Sequence, residues 1–159
     1  MLAITILSVG KLKDAWLRLA VDEYTKRAGA FFKLRVEEVS QAKLEQDPSD
    51  AQIAIALGRE AQEILKRIPP RAWIVALCIE GEAFTSTQLA QKLTRISNEA
   101  PHVVFIIGSS HGLADIVKQS ANMLLSMSKM TFSHRIARVM LCEQIYRAGS
   151  ITAGKKYHK

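Results

Sequence analysis

Apolar positions along this chain follow two alternating periods. Five runs rich in β-branched and apolar residues predict strands at 3–9, 33–39, 72–79, 102–107 and 122–127. Between them, apolar residues return every three or four positions, which predicts helices at about 15–28 and 49–67, a third from Thr85, a short fourth around Ile116 and a long fifth after residue 133. Strand and helix alternate five times. We therefore predict one α/β domain over residues 1–159, with a mainly parallel sheet flanked by helices.

Local signals support these boundaries. Ser49 with Gln52, and Thr85 with Gln88, have the spacing of capping boxes, and Asp14 is placed to cap the first helix. The run 72–79 is apolar throughout, as expected of a strand covered on both faces. The run 33–39 alternates polar and apolar residues, which predicts a strand with one wet face near an edge of the sheet.

The last helix departs from the usual amphipathic pattern, because apolar side chains lie on nearly every side of it. A helix of this kind is buried on several sides, so we expect it to pack into the fold, on a second subunit, or on both. Glu143 and Arg147 lie four residues apart and can pair. That pair is either an internal salt bridge or part of a ligand site, since guanidinium groups also suit phosphate.

The formal net charge of the chain is +7, which suits a polyanionic partner such as RNA. No apolar run is long enough to cross a membrane, and the first strand begins without the features of a signal peptide. We therefore expect a cytoplasmic protein without a membrane partner. Cys78 and Cys142 lie in apolar surroundings without metal-ligand spacing, so we expect two reduced core thiols and no metal site.

Ligands of open α/β sheets bind beyond the carboxyl ends of the strands. Three such ends have the character of ligand loops: residues 77–81, the glycine loop 108–112, and residues 127–132. The glycine loop follows the fourth strand and is neither GxGxxG nor a P-loop, which disfavours a dinucleotide-dependent oxidoreductase. No serine lies in a GxSxG motif, so hydrolase chemistry has no signature.

Tyr157 and His158 lie near the end of a polar tail, and they are an aromatic ring and an imidazole that a frayed tail does not require. One interpretation is a disordered tail. The other is a tail that folds over an active site, with the tyrosine for stacking and the histidine for proton transfer or a phosphate contact.

Several motifs together resemble the RlmH family of SPOUT-class methyltransferases. They are FIIGSSHGL at 105–113, LSMSKMTFSH at 125–134, R-V-x-L-x-EQ-x-YRA at 138–148, the terminal YHK and the opening ITILSVGKLK at 4–13. The resemblance covers the whole chain, with the motifs in the family's order. It implies an α/β knot, with the chain after the fifth strand threaded through a loop to form a C-terminal trefoil knot, and a homodimer in which the second subunit contributes to each active site.

The resemblance also implies an activity. Family members transfer a methyl group from S-adenosylmethionine to N3 of a pseudouridine in large-subunit ribosomal RNA. By motif match, the residues that bind the methyl donor are Leu77, Gly108, Met127, Ser128, Lys129, Met130, Thr131 and Phe132. Direct displacement would need the sulfonium carbon and N3 in line, so positioning should supply much of the acceleration.

The resemblance implies roles for the C-terminal residues as well. The expected catalytic residues are Glu143, Arg147, Tyr157 and His158, and the expected RNA contacts are Arg138, Lys155 and Lys156. The N3 proton must leave, and Glu143, His158 and His134 remain open as its acceptor. A non-catalytic RNA-binding or ribosome-assembly protein is the competing hypothesis.

The chain departs from the family pattern at two positions. Ser109 stands where the family often has a second glycine, which we expect to narrow the room near the donor. Ser133 stands where the family commonly has proline, which we expect to loosen the start of the last helix.

Overall fold

A computed structural model describes residues 1–157, and it shows five parallel strands in one sheet with helices on both faces. The sheet order is β2-β1-β4-β3-β5. The elements are β1 (Ala3–Val9), α1 (Ala15–Ala28), β2 (Lys33–Val39), α2 (Asp50–Lys66), β3 (Trp73–Ala83), α3 (Ser86–Glu99), β4 (His102–Ile107), α4 (Asp115–Ser120), β5 (Met123–Ser126) and α5 (His134–Thr152). The predicted fold class is confirmed, and β2 is an edge strand as expected. The knot stays a prediction.

Two apolar cores cover the two faces of the sheet. On one face, Ile4, Ile6 and Phe105 pack against apolar residues of α1, α3 and α5. On the other face, Leu7 and Ile106 pack against apolar residues of α2 and α4. Neighbouring residues of a strand point to opposite faces, so the continuous apolar runs of β1 and β4 supply both cores.

Capping chemistry sets the start of most helices. Both predicted capping boxes are present, at Ser49 with Gln52 and at Thr85 with Gln88. Asp14 lies at the predicted N-cap position of α1, but its side chain makes no capping hydrogen bond, and its carboxylate instead accepts one from Arg135 at 3.4 Å. One of its carboxylate oxygens, Oδ2, is thus paired with a residue of α5 that lies 121 positions later in the chain.

The third strand is longer and less regular than predicted. β3 continues to Ala83, and both Leu77 and Glu82 lie opposite Leu125 of β5, so residues 78–81 bulge out of the ladder. Ile79, expected in a buried strand, is 80% exposed on this bulge. Gly81 is required here, because a Cβ atom would lie 2.6 Å from the Leu125 backbone.

The last helix is buried on several sides, as its composition predicted. α5 packs against both α1 and α3, and Leu141, Cys142 and Ile145 are fully buried. Burial raises the pKa of the Cys142 thiol to about 12, so this thiol stays protonated and inert in the core. None of the helices within residues 1–157 is both long and apolar enough to cross a lipid bilayer.

A pair of helical glycines gives a test of this packing. A Cβ atom at Gly149 of α5 would lie 2.5 Å from the Phe31 ring, so we expect Gly149→Ala to lower the free energy of unfolding by about 1–3 kcal/mol. Gly58 of α2 has no such neighbour within 4 Å, so Gly58→Ala should raise it by about 0.5–1 kcal/mol. Urea unfolding measures both, and a Gly149→Ala variant as stable as the natural chain would contradict the close contact.

Candidate active site

A cavity of about 750 Å³, here called the main cavity, lies at the carboxyl ends of β3, β4 and β5. This volume is typical of a small-molecule site. The structure brings seven of the eight predicted donor residues into its lining: Leu77, Gly108, Met127, Ser128, Met130, Thr131 and Phe132. Lys129 is exposed and does not line it. Three segments far apart in the chain therefore form one site.

The glycine loop forms the wall of the main cavity beyond β4. A Cβ atom at Gly108 would collide with the Gly112 backbone oxygen, and Gly112 has φ +84°, so both positions require glycine. The Gly112 amide donates to the Ser109 carbonyl oxygen at 2.9 Å and closes the turn. Ser109 lines the cavity but is only 7% exposed.

The loop between β5 and α5 is held by serine side chains. Ser126 Oγ donates to the Ser128 carbonyl oxygen at 3.0 Å, and the Met130 amide donates to Ser128 Oγ at 3.0 Å. Ser133 caps α5 by accepting a hydrogen bond from the Ile136 amide at 3.3 Å. The expectation that Ser133 loosens the start of this helix is therefore wrong, because serine is among the best capping residues.

The sequence predicted a ligand loop at residues 77–81, but of these residues it named only Leu77 as a donor contact. Cys78, Ile79 and Glu80 all line the main cavity. Glu80 accepts a hydrogen bond from Lys118 Nζ of α4 at 2.6 Å, and this bond is the largest cause of its lowered pKa. The signal for the bulge was Gly81, since an isolated glycine within a strand pattern often marks one.

Glu143, Arg147 and Tyr157 form a second group of functional candidates, here called the tail cluster. One carboxylate oxygen, Glu143 Oε1, accepts from Arg147 Nε at 3.0 Å, from Arg147 Nη2 at 2.6 Å and from the Tyr157 hydroxyl at 3.1 Å. The Tyr157 ring lies 4.6 Å from the Tyr146 ring and 4.6 Å from the Arg147 guanidinium carbon. The predicted pairing of Glu143 with Arg147 is present, and the chain folds back on α5 as far as Tyr157.

The protonation of Tyr157 follows from its surroundings. Burial, and then the hydrogen bond to Glu143, raises the pKa of its hydroxyl to about 12. The hydroxyl therefore stays protonated at neutral pH and acts as a donor. It can orient the Glu143 carboxylate, and it cannot serve as a base.

The tail cluster and the main cavity lie apart within one chain. Glu143 lines a neighbouring cavity of about 480 Å³, which shares only Leu125, Ser126 and Met127 with the main cavity among the described residues. Neither Arg147 nor Tyr157 lines the main cavity. The predicted catalytic and donor residues are thus not brought together by a single described chain.

Among the candidate proton acceptors, His134 lies in the main cavity. Burial lowers the pKa of its imidazole, and Arg135 and Arg138 lower it further. The ring is therefore neutral at neutral pH and has a nitrogen that can accept a proton. The other histidine candidate, His158, lies outside the described residues.

The predicted RNA contacts differ in exposure. Lys155 and Lys156 are exposed, and Lys155 Nζ lies 4.8 Å from the Phe31 ring centroid. Arg138 is only 2% exposed, and it donates to Glu38 at 2.7 Å and to the Gly10 carbonyl oxygen at 3.0 Å. Arg138 is therefore corrected from an RNA contact to a structural residue, because its guanidinium is buried and donates hydrogen bonds within the fold.

Within residues 1–157, no group of three or more His, Cys, Asp or Glu side chains is placed to hold a metal ion.

Comparisons with known proteins identify the family of the chain. The sequence model of the family described as "Predicted SPOUT methyltransferase" matches residues 2–158. Over 157 residues, the chain is 44% identical to the Ribosomal RNA large subunit methyltransferase H of Bifidobacterium adolescentis and 43% identical to that of Exiguobacterium sibiricum. Each alignment covers 98% of this chain and 99% of the relative. The chain therefore belongs to the SPOUT methyltransferase family, as its sequence motifs indicated.

Proposed function

We propose that this protein transfers a methyl group from S-adenosylmethionine to N3 of a pseudouridine in large-subunit (23S) ribosomal RNA. The observation that carries the proposal is the main cavity, where seven motif residues from three separate segments meet at the carboxyl edge of the sheet. The names of the two relatives state a large-subunit ribosomal RNA methyltransferase, which supports the class of substrate.

The residues of the main cavity fit the proposed donor. S-adenosylmethionine, when bound, supplies an electrophilic methyl group on a sulfonium centre. Apolar side chains at Leu77, Met130 and Phe132 offer contact area for its adenosine part. Gly108 presents no side chain to the cavity, so this part of the wall is bare backbone packed against Gly112.

The chain's own residues must position the acceptor and take up its proton. His134 is the described candidate that we favour, because it lines the main cavity and its imidazole is neutral at neutral pH. Glu143 remains the alternative, but both its carboxylate oxygens already accept hydrogen bonds, Oε1 from Arg147 and Tyr157 and Oε2 from Gln144 at 2.8 Å. These bonds hold the carboxylate in one orientation.

The RNA surface would lie at the C-terminal end of the chain. Lys155 and Lys156 are exposed cations that suit phosphate contacts, and the net charge of +7 favours a polyanion. A large preformed RNA surface would add phosphate contacts to those that these lysines supply. We therefore propose the assembled ribosome as substrate, and the cytoplasmic location stays a prediction.

A homodimer would complete the active site. Within one described chain, the tail cluster does not line the main cavity. Methyl transfer nevertheless requires the methyl donor and the residues that position the acceptor base to lie at one place. A second subunit that brings its tail cluster to the main cavity of the first removes this difficulty. A monomer at micromolar concentration, measured by light scattering, would contradict this arrangement.

The function is tested by binding and transfer measurements on the same preparation. We expect isothermal titration to show saturable binding of S-adenosylmethionine. We also expect methyl transfer from radiolabelled donor to whole ribosomes to exceed transfer to separate large subunits or free ribosomal RNA. Absence of donor binding at millimolar concentration would favour the non-catalytic RNA-binding hypothesis. Loss of transfer when the target pseudouridine is replaced by uridine would show that the methyl group is transferred to that pseudouridine.

Removal of residues 157–159 tests the tail. We expect this truncation to lower the transfer rate by about 100-fold or more, the usual size of an acid–base or positioning contribution, and to leave the donor dissociation constant largely unchanged. Removal of Lys159 alone is the matched control, because it keeps Tyr157 and His158. Equal loss of transfer and of donor binding would show instead that the tail is structural.

Complementation then tests whether the site is shared between subunits. Gly108→Ala, which crowds the glycine loop, should lose donor binding and transfer. Coexpression of this variant with the truncated chain creates heterodimers, which contain one main cavity and one tail that are both intact. We expect transfer to return in the purified heterodimer. Its absence there would mean that each site uses the tail of its own chain.

A further inference from the structure

The β3 bulge places a carboxylate in the wall of the main cavity. Residues 78–81 leave the ladder between β3 and β5, because Leu77 and Glu82 both pair with Leu125. Glu80 lies on this bulge and lines the main cavity, and among the described lining residues it is the one carboxylate. The bulge therefore brings into the cavity a group that can bind a cation or a hydroxyl.

Glu80 is held beside a lysine from a different element. Lys118 Nζ of α4 donates to Glu80 Oε1 at 2.6 Å, and both residues line the main cavity. The Lys118 side chain is 25% exposed and the Glu80 side chain 48% exposed, whereas Lys66 in the surface pair with Glu63 is 69% exposed. The Glu80–Lys118 pair is thus set into the cavity wall, and its carboxylate is still accessible.

Both groups of the pair are charged at neutral pH. The hydrogen bond between them is the largest cause of the lowered pKa of Glu80 and of the raised pKa of Lys118. This bond does not use their full capacity, since a carboxylate can accept and an ammonium group can donate more than one hydrogen bond. The pair can therefore offer a ligand an acceptor and a donor of opposite charge, side by side.

Arg135 also brings a positive charge to the main cavity, but in different surroundings. Its partner Asp14, at 3.4 Å, does not line the cavity. Arg135 therefore reaches the cavity without bringing a carboxylate with it. Within the described lining, Glu80 and Lys118 are the one place where both signs of charge lie next to each other.

The proposed methyl donor has one part with complementary charges. The amino-acid end of S-adenosylmethionine carries an α-ammonium and an α-carboxylate on the same carbon atom, whereas its adenosine part is uncharged. A pair without net charge favours a ligand group that brings both charges, because each charge then meets an opposite one through a charge-assisted hydrogen bond. A ligand group that brings a single charge would be attracted by one member of the pair and repelled by the other.

We propose that Glu80 and Lys118 bind the amino-acid end of the methyl donor, with the Glu80 carboxylate accepting from the α-ammonium and the Lys118 ammonium donating to the α-carboxylate. The proposal rests on the proposed function of the main cavity. It leaves the apolar side chains of Leu77, Met130 and Phe132 for the adenosine part. The β3 bulge then serves as a charged subsite that selects ligands with a complete amino-acid end.

Two analogues of the donor test the role of Glu80. S-adenosylhomocysteine has the amino-acid end and methylthioadenosine lacks it, while both have the adenosine part and a neutral sulfur atom. We expect Glu80→Gln to raise the dissociation constant of S-adenosylhomocysteine by about tenfold, the usual effect of losing a hydrogen bond to a charged group. The dissociation constant of methylthioadenosine should stay unchanged. Isothermal titration measures both.

A second comparison tests Lys118. Decarboxylated S-adenosylmethionine keeps the ammonium and the sulfonium centre but has no carboxylate. We expect Lys118→Met to weaken the binding of S-adenosylmethionine by about tenfold and to leave the binding of the decarboxylated form as tight as in the natural chain, or tighter. Equal weakening of both ligands would contradict a contact between Lys118 and the α-carboxylate.

The surface pair of α2 supplies matched controls. Glu63 and Lys66 form an ion pair at 3.0 Å and line neither cavity, so Glu63→Gln and Lys66→Met should leave the binding of all four ligands unchanged. Exposed ion pairs contribute little to stability, so we expect all four variants to fold, which thermal unfolding checks. If one variant of the cavity pair does not fold, the other tests the same subsite from the opposite side.

The outcomes separate this proposal from the proposed function. Equal weakening of S-adenosylhomocysteine and methylthioadenosine by Glu80→Gln would overturn the subsite, because it would place Glu80 against the adenosine part. Natural affinity for every ligand in both variants would overturn it as well, and would leave the methyl-donor site standing with an ion pair that only joins the bulge to α4. Failure of the natural chain to bind any of the four ligands would overturn the donor site and the subsite with it.

Discussion

The position of the last helix depends on one buried guanidinium. Arg138 donates to the Glu38 carboxylate at the end of β2 and to the Gly10 carbonyl oxygen after β1, and the same carboxylate oxygen accepts the Leu12 amide at 3.0 Å. A buried cation that loses its partner is costly, so α5 cannot slide over the sheet without breaking these bonds. The start of α5 at His134, and with it the loop that closes the main cavity, is thereby fixed at the carboxyl edge of the sheet.

Local chemistry made most of the fold predictable. The strands and capped helices depend on side-chain periodicity and on hydrogen bonds within four residues, which are visible in the sequence. The residues whose roles the structure changed have partners that lie far away in the chain. Arg138 was expected to contact RNA, because the sequence around it does not show that its partner is Glu38, 100 residues earlier. Asp14 lies at the N-cap of α1 as predicted, but its carboxylate pairs with Arg135 rather than with the helix backbone, and that distant partner is not visible in the local sequence. The β3 bulge follows from how β5 pairs with β3, which only the assembled sheet determines.

Charges around the main cavity are largely paired within the protein. Glu80 is paired with Lys118, and Arg135 is paired with Asp14. The tail cluster is balanced in the same way by Glu143 and Arg147. The excess positive charge of the chain therefore lies outside the main cavity and the tail cluster, including at the exposed Lys155 and Lys156. A cationic ligand entering the cavity meets neutralised pairs, whereas Lys155 and Lys156 present positive charge to solvent.

The register shift in β3 leaves the sheet independent of the length of its bulge. Leu77 and Glu82 both pair with Leu125, so the ladder closes on either side whatever lies between them, provided that Gly81 keeps its close approach to β5. Insertions or deletions among residues 78–80 can therefore accumulate during evolution without moving a core residue. They would reshape one wall of the main cavity at little cost in folding, which gives the fold a place where ligand preference can drift while the scaffold stays constant.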